Sequence, residues 1–199
     1  MRIALFGGSF DPPHNGHIAI ARAAADKFEL ERVLFAPVAH QPLKHDIGGA
    51  PFADRVAMVE LACKADPRFF ASEVDGPRLD GGPNYTVTTL RTLQERMPQA
   101  ELFNLVGADS FLSLREWFDP EGLLDVAEWI VVSRPGYSLD DISNLRLTRR
   151  QRERVHLLET VEEDVSATEL RERLERGDSC SDLLTPSVGA YIEAHRLYR

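Results

Sequence analysis

Cysteine is nearly absent from this sequence of 199 residues. The 2 cysteines, Cys63 and Cys180, lie far apart in the chain and have no metal-binding spacing. This excludes a disulfide-rich scaffold and a cysteine-ligated metal centre. We expect two unpaired thiols, packed as small apolar side chains, in a protein from a reducing compartment.

Long hydrophobic runs are also missing. No stretch approaches the roughly 18 apolar residues that a membrane span needs, and the apolar start of the chain is too short for a signal peptide. The formal net charge of -9 gives the whole chain no attraction to nucleic acid or to anionic membranes. We therefore expect a cytoplasmic protein that binds neither. The sequence leaves its oligomeric state open, a homo-oligomer included.

What the sequence does contain is a regular alternation of short apolar runs and segments of helical periodicity. Strands are predicted at residues 2–6, 32–37, 69–74, 101–106, 129–133 and 156–160. Helices are predicted at residues 15–28, 52–65, 85–97, 110–117, 120–126, 166–176 and from residue 185 onward, with a charged, solvated helix face near 151–154. This alternation predicts an α/β fold: a Rossmann-like, doubly wound, mainly parallel sheet with helices on both faces. The length fits one domain over residues 1–199, with the helical part from about residue 164 packed on the same core.

The turn after the first predicted strand is dense in glycine, proline and histidine: residues 7–18 read GGSFDPPHNGHI. Ligands of open parallel sheets bind beyond the carboxyl ends of the strands, where this turn lies. Gly7 and Gly8 let the backbone approach a ligand closely, and the start of the following helix attracts phosphate. His14 and His17 are three residues apart, so at a helix start they share one face and point at the same anion.

Other interpretations of this turn stay open at this point. A histidine at a helix start can be a cap or a surface residue, and Asp11 is a favoured turn or cap residue. The turn matches neither the dinucleotide fingerprint nor the Walker loop. A metal site lacks a third ligand at a matching spacing.

The turn also carries a resemblance to a known family. Residues 14–17 (HNGH) match the H-x-G-H signature of the nucleotidyltransferase superfamily related to class I aminoacyl-tRNA synthetases, and the longer GGSFDPPHNGH resembles the bacterial nicotinate mononucleotide adenylyltransferases. Further segments that resemble this family, in order, are residues 41–44 (QPLK), 85–86 (YT), 107–109 (GAD), 117–118 (WF), 133–136 (SRPG) and 165–171 (VSATELR). The sequence departs from the family pattern at Leu43, Phe118 and Ala167, where histidine, tyrosine and serine are usual. These departures concern substrate contacts rather than the reaction.

The resemblance implies transfer of the adenylyl group of ATP to nicotinate mononucleotide, which gives deamido-NAD and pyrophosphate. Such a reaction needs no protein nucleophile, only positioning and stabilisation of negative charge. The implied catalytic residues are His14, His17 and Lys44. The implied ATP-binding residues are Gly7, Gly8, Ser9, Phe10, Gly16, His17, Asp109, Arg134, Ser166, Thr168 and Arg171. The implied acceptor-binding residues are Lys44, Tyr85, Thr86, Trp117 and Phe118. Mg²⁺ is expected to accompany ATP, with no dedicated metal-binding residue.

Several of these residues also have purely structural interpretations. Lys44 suits a solvated loop, Asp109 a helix cap, Trp117 core packing and Arg171 a surface salt bridge. Ser166 forms a capping box with the glutamate three residues later.

Two alternative functions remain at this point. One is a related nucleotidyltransferase with another acceptor, either nicotinamide mononucleotide or phosphopantetheine. The other is a nucleotide sensor without turnover. Trp117 and the YT motif argue against phosphopantetheine, and the presence of both histidines argues against the sensor.

Overall fold

The computed structural model describes residues 1–40, 49–133, 142, 145–159 and 167–199. The strands are β1 (Arg2–Gly8), β2 (Arg32–Pro37), β3 (Phe69–Ala71), β4 (Glu101–Gly107), β5 (Glu128–Ser133) and β6 (Val155–Glu159). The α-helices of the described segments are α1 (Asn15–Lys27), α2 (Phe52–Cys63), α3 (Thr86–Arg96), α4 (Ala108–Leu112), α5 (Pro120–Val126), α6 (Arg149–Glu153), α7 (Ala167–Glu175) and α8 (Pro186–His195).

The six strands form one sheet in the order β3-β2-β1-β4-β5-β6, and each pair of neighbours is parallel. In the centre, Leu5 of β1 lies between Leu34 of β2 and Asn104 of β4. The strand order reverses at β1 and β4, which is the point where open α/β sheets bind ligands. The predicted Rossmann-like fold is confirmed.

One face of the sheet packs against α1, α2, α7 and α8. The hydrophobic cluster on this face joins Phe6 of β1 to Ile18, Met58, Leu170 and Val188, one from each of these helices. Residues from both ends of the sequence therefore share one core. Free Cys63 and Cys180 are buried in the same cluster.

The other face packs against α3, α4 and α5. Leu5 points to this side and belongs to a cluster with Leu90, Phe111, Leu123 and Trp129. Neighbouring residues of β1 thus enter opposite cores, which explains why the strand is a continuous apolar run rather than an alternating one. None of the described helices is long and apolar enough to cross a membrane.

The structure corrects several local predictions. β1 continues to Gly8 instead of ending at residue 6, because Gly7 and Gly8 pair with Ala36 and Pro37 of β2. β3 ends at Ala71 instead of residue 74, because the chain bends away after the Ser72 N–H bonds to Phe35 in β2. The helix predicted at 110–117 is interrupted at Ser113, whose hydroxyl donates to the Ser110 carbonyl, and a 3₁₀ turn (Leu114–Glu116) follows. Gln151 of α6 is buried, not solvated.

Candidate active site

A cavity of about 920 Å³ opens at the carboxyl ends of β1 and β4, a size typical of small-molecule sites. Nine of the residues implied by the family resemblance line it: Gly7, Gly8, Ser9, His17, Tyr85, Thr86, Asp109, Trp117 and Phe118. They come from the end of β1 and the residue after it, the start of α1, the start of α3, and the segment after β4. The sheet topology therefore brings together residues that are up to 111 positions apart (Gly7 to Phe118) in the sequence.

The backbone at the end of β1 is open to the cavity at Gly7. A Cβ on Gly7 would meet no atom within 4 Å, whereas a Cβ on Gly8 would lie 3.3 Å from the Phe10 ring. Phe10 is buried and holds a left-handed backbone with φ of 47°. Its ring lies 5.0 Å from that of His17 and 5.6 Å from that of Phe35, so an aromatic anchor holds the turn against the core.

The two histidines have different places in this turn. His14 is the N-cap residue of α1, and its backbone N–H donates to Nδ1 of His17 at 3.2 Å. The two ring centroids are 3.7 Å apart. His17 lines the cavity, whereas the His14 side chain lies behind it and is only 7% exposed. Of the pair, His17 is the one placed to touch a ligand.

Both rings are neutral at pH 7. Burial lowers the pKa of His14 to about 4, and burial together with the neighbouring His14 lowers the pKa of His17 well below 6.5. Because Nδ1 of His17 accepts a hydrogen bond, the proton of its neutral ring is on Nε2. His17 therefore offers an N–H donor rather than a positive charge.

Arg55 of α2 holds one side of the turn between β1 and α1. Its guanidinium donates to the carbonyl oxygens of Ser9 at 2.7 Å, Val38 at 3.0 Å and Ala50 at 3.2 Å. Sequence reasoning missed this residue. The available signal was its spacing: Arg55 is a charged residue on the apolar face of α2, three positions after Phe52 and four before Val59.

Asp11 anchors the same turn from the other side. Its Oδ1 accepts the Ala50 N–H at 3.0 Å and the Tyr198 hydroxyl at 2.5 Å. Arg171 of α7 donates to the Asp11 carbonyl at 2.8 Å and lies 3.4 Å from the Thr168 hydroxyl. In this structure Arg171 and Thr168 thus lie beside the turn, and the Arg171 guanidinium is engaged with its backbone.

Aromatic side chains build the opposite wall of the cavity. Tyr85, the N-cap residue of α3, stacks on Phe118 with ring centroids 4.5 Å apart. Phe118 is 57% exposed. The half-buried Trp117 donates its indole N–H to the Ser113 hydroxyl at 3.3 Å. Thr86 begins α3, so its backbone belongs to the turn whose N–H groups have no partner within the helix.

Several polar residues of the cavity were not predicted as site residues from the sequence, among them Asp75, Asn84 and Asn104. The buried Asp75 carboxylate accepts the Thr89 hydroxyl, and burial raises the pKa of Asp75. Asn84 donates to the Gly76 carbonyl at 2.9 Å and accepts the His40 N–H at 3.0 Å. The buried Asn104 lies in the middle of β4. A polar residue inside an apolar strand was the signal for this position.

Of the implied residues, Asp109 and Gly16 lie on helices and three others lie outside the described segments. Asp109 is exposed in the first turn of α4, where Gly107 and not Asp109 occupies the N-cap position. Gly16 is buried in α1. Lys44, Arg134 and Ser166 lie outside the described residues. Within the described segments, no group of three or more His, Cys, Asp or Glu side chains is arranged to hold a metal ion.

Comparison with known proteins agrees with the resemblance. The profile of the Cytidylyltransferase-like family matches residues 5–173. A protein of Thermus thermophilus named "Probable nicotinate-nucleotide adenylyltransferase" is 41% identical over 201 residues, with 100% of each chain covered. One of the same name from Gloeobacter violaceus is 40% identical over 199 residues, with 99% of this chain and 96% of the relative covered.

Solved structures show the same fold. Nicotinic acid mononucleotide adenylyltransferase of Plasmodium falciparum complexed with NaAD superimposes with a TM-score of 0.77 at 18% identity, over 99% of this chain and 97% of that one. The same protein complexed with APC also gives a TM-score of 0.77, over 99% and 96% of the two chains.

Proposed function

Because the chain belongs to the nicotinate-nucleotide adenylyltransferase family, we propose that it transfers the adenylyl group of ATP to nicotinate mononucleotide in NAD biosynthesis. The products are nicotinate adenine dinucleotide and pyrophosphate. The observation that carries the proposal is the position of His17: a neutral imidazole with its donor on Nε2, at the wall of a cavity beside the open backbone of Gly7.

In this reaction a phosphate oxygen of the mononucleotide attacks the α-phosphorus of ATP. The new P–O bond forms as the bond to the β-phosphate breaks, and pyrophosphate leaves in line. His17 donates its Nε2–H to a non-bridging oxygen of the α-phosphate, where negative charge develops. The positive end of the α1 helix dipole stabilises the same charge. His14 holds the ring of His17 in place through its backbone N–H.

The two substrates use different walls of the cavity. The turn at Gly7, Gly8 and Ser9 takes the phosphates of ATP, and the Asp109 carboxylate accepts the hydroxyl groups of its ribose. The Trp117 ring offers a face for the pyridine ring of the acceptor. The first turn of α3, with Tyr85 at its cap and Thr86 at its start, offers N–H groups to a carboxylate, which favours nicotinate over nicotinamide.

Other parts of the proposal rest on the family alone. Lys44 neutralises the phosphate of the acceptor, and Arg134, Ser166, Thr168 and Arg171 bind the triphosphate. Mg²⁺ is expected to accompany ATP, where it would neutralise charge on the phosphates, and we assign no residue of this chain to hold it. We place the enzyme in the cytoplasm, in keeping with its two unpaired thiols.

The test is release of pyrophosphate from MgATP with one acceptor at a time. We expect turnover with nicotinate mononucleotide, much slower turnover with nicotinamide mononucleotide and none with phosphopantetheine. Turnover with phosphopantetheine alone would assign the chain to a different acceptor. Binding of ATP without pyrophosphate release from any acceptor would instead identify a nucleotide sensor.

A further inference from the structure

Asp11 joins four separate segments of the chain. Its carboxylate accepts the Ala50 N–H, from the segment before α2, and the hydroxyl of Tyr198, from the segment after α8. Its backbone carbonyl accepts a hydrogen bond from the guanidinium of Arg171 on α7. A Cβ on Gly49 would lie 1.9 Å from Oδ2 of Asp11, so only a glycine leaves room for this carboxylate. The position of the Asp11 side chain is set by its two hydrogen bonds, and Gly49 leaves the space that it occupies.

Tyr198 reaches Asp11 because of how α8 ends. Arg196 follows the helix with φ of 54°, and Tyr198 itself has φ of 57°, so the chain turns back over the sheet. Leu197 and Tyr198 then pack against the hydrophobic cluster that contains Phe6 and Phe10. Burial and the hydrogen bond to Asp11 raise the pKa of the Tyr198 phenol, which keeps the hydroxyl protonated as a donor.

The segment from the end of β1 to Asp11 needs support at both ends. Phe10 holds a left-handed backbone, which is unfavourable for a residue with a bulky side chain and persists only where its surroundings impose it. Arg55 fixes the Ser9 carbonyl on one side of Phe10. On the other side, Asp11 is fixed by the three segments described above.

We propose that Tyr198 is a positioning residue for the phosphate-binding turn: its hydroxyl holds the Asp11 carboxylate and thereby the backbone at Gly8, Ser9 and Phe10. The segment after α8 thus sets the geometry of a site formed by the other end of the sequence. Preorganised donors are effective only when their support holds them in place before the substrate arrives. The part of this inference that concerns turnover rests on the proposed function, and the part that concerns nucleotide binding does not.

The test compares Tyr198→Phe with a matched control, Tyr191→Phe. Tyr191 of α8 also donates its hydroxyl to a carboxylate, that of Asp54 on α2 at 2.9 Å, but within the described residues neither of the two hydrogen-bonds to the turn. For each variant we would measure the melting temperature, the affinity for α,β-methylene ATP by calorimetry, and kcat and KM for both substrates. We expect Tyr198→Phe to lower the analogue affinity and kcat/KM for ATP by about tenfold, the scale of a lost hydrogen bond to a charged group. KM for nicotinate mononucleotide should stay within twofold, and Tyr191→Phe should behave as wild type.

A second comparison tests whether the effect passes through Asp11. Adding Tyr198→Phe to an Asp11→Ala protein should cost no further analogue affinity, because the acceptor is already gone. The proposal is overturned if Tyr198→Phe binds the analogue within twofold of wild type, if Tyr191→Phe loses as much, or if the loss persists in the Asp11→Ala background. Should Asp11→Ala fail to fold, the comparison of the two tyrosines decides alone.

The two proposals fail in different ways. A wild-type protein that binds the analogue but transfers no adenylyl group to nicotinate mononucleotide contradicts the proposed function. In that case the calorimetric comparison of the two tyrosine variants still decides the role of Tyr198.

Discussion

The Nδ1 atom of His17 accepts the backbone N–H of His14 at 3.2 Å. One hydrogen bond therefore does two things: it satisfies a free donor at the start of α1, and it fixes the tautomer of the ring that faces the cavity. The start of the helix and the proposed catalytic donor are thus built from the same two residues. This relationship separates substitutions that damage the helix from those that remove the donor.

The first prediction concerns the donor of His17. His17→Ala and His17→Asn should both lower turnover by roughly 10²-fold, the order found when one charge-stabilising donor is removed. The asparagine side chain can still accept the His14 N–H, so this variant should keep the melting temperature of the wild type. Steady-state kinetics and thermal denaturation check both statements. Wild-type turnover in a folded His17→Asn protein would remove His17 from the mechanism.

The second prediction concerns stability against pH. Burial lowers the pKa of His14 in the folded protein to about 4, below the value of about 6.5 in the unfolded chain. Between these values the unfolded state binds more protons, so stability is complete above pH 6.5 and is lost as the pH falls toward 4. The free energy of unfolding that His14 removes over this pH range is about 3 kcal/mol.

Urea denaturation between pH 4.5 and 7.5 measures this slope. His14→Asn keeps a good N-cap residue but removes the titrating ring, so its stability should depend less on pH than that of the wild type. Identical slopes in the two proteins would show that His14 is not the group responsible.

The third prediction concerns the open backbone at Gly7. A methyl group there meets no protein atom, so Gly7→Ala should change the free energy of unfolding by less than about 1 kcal/mol. The methyl group would occupy the space proposed for phosphate, and ATP-analogue affinity should fall about tenfold or more.

Gly189→Ala is the matched control for this experiment, since its added methyl also meets no atom within 4 Å but lies in α8. It should leave nucleotide affinity unchanged. If Gly7→Ala binds the analogue as tightly as Gly189→Ala does, the phosphates do not pass over Gly7.

The fourth prediction concerns Trp117. Trp117→Ala should weaken binding of nicotinate mononucleotide by about 1–3 kcal/mol, the scale of a lost aromatic stack, and should change ATP-analogue binding little. Trp117→Phe keeps a ring face and should lose less. Calorimetric titration with each ligand provides the measurement. Equal acceptor affinity in the alanine variant and the wild type would limit Trp117 to its packing beside Trp129.

The order of strands and helices was predictable because it depends on local patterns. The run at residues 32–37 is bounded by polar residues and a proline, and β2 has the same limits in the structure. Predictions of strand ends were poorer where tertiary contacts decide, as at β3, an edge strand that leaves the sheet three residues early. The strand propensity of a segment gives no information about where its hydrogen bonds to the neighbouring strand end.

The candidate site was predictable only in part, for a related reason. His17 and Gly7 lie in a dense local motif, so the sequence alone draws attention to them. Arg55 and Tyr198 act on that motif from 46 residues away (Ser9 to Arg55) and 187 residues away (Asp11 to Tyr198), through bonds that exist only in the folded chain. For Arg55 the sequence offers only a charged residue on an apolar helix face, which does not name its partners, and Tyr198 has no signature that distinguishes it from a surface tyrosine.

Because β1 to β6 all run in the same direction, their carboxyl ends, and with them the proposed site, lie on one rim of the sheet. The opposite rim carries short exposed turns that lead into strands, among them those at Glu29 and Gln99. A fluorophore, an affinity handle or an immobilisation linker attached on that rim leaves the path of incoming and departing nucleotides clear. The parallel sheet thus separates the rim that carries the proposed site from the rim that is suited to chemical attachment.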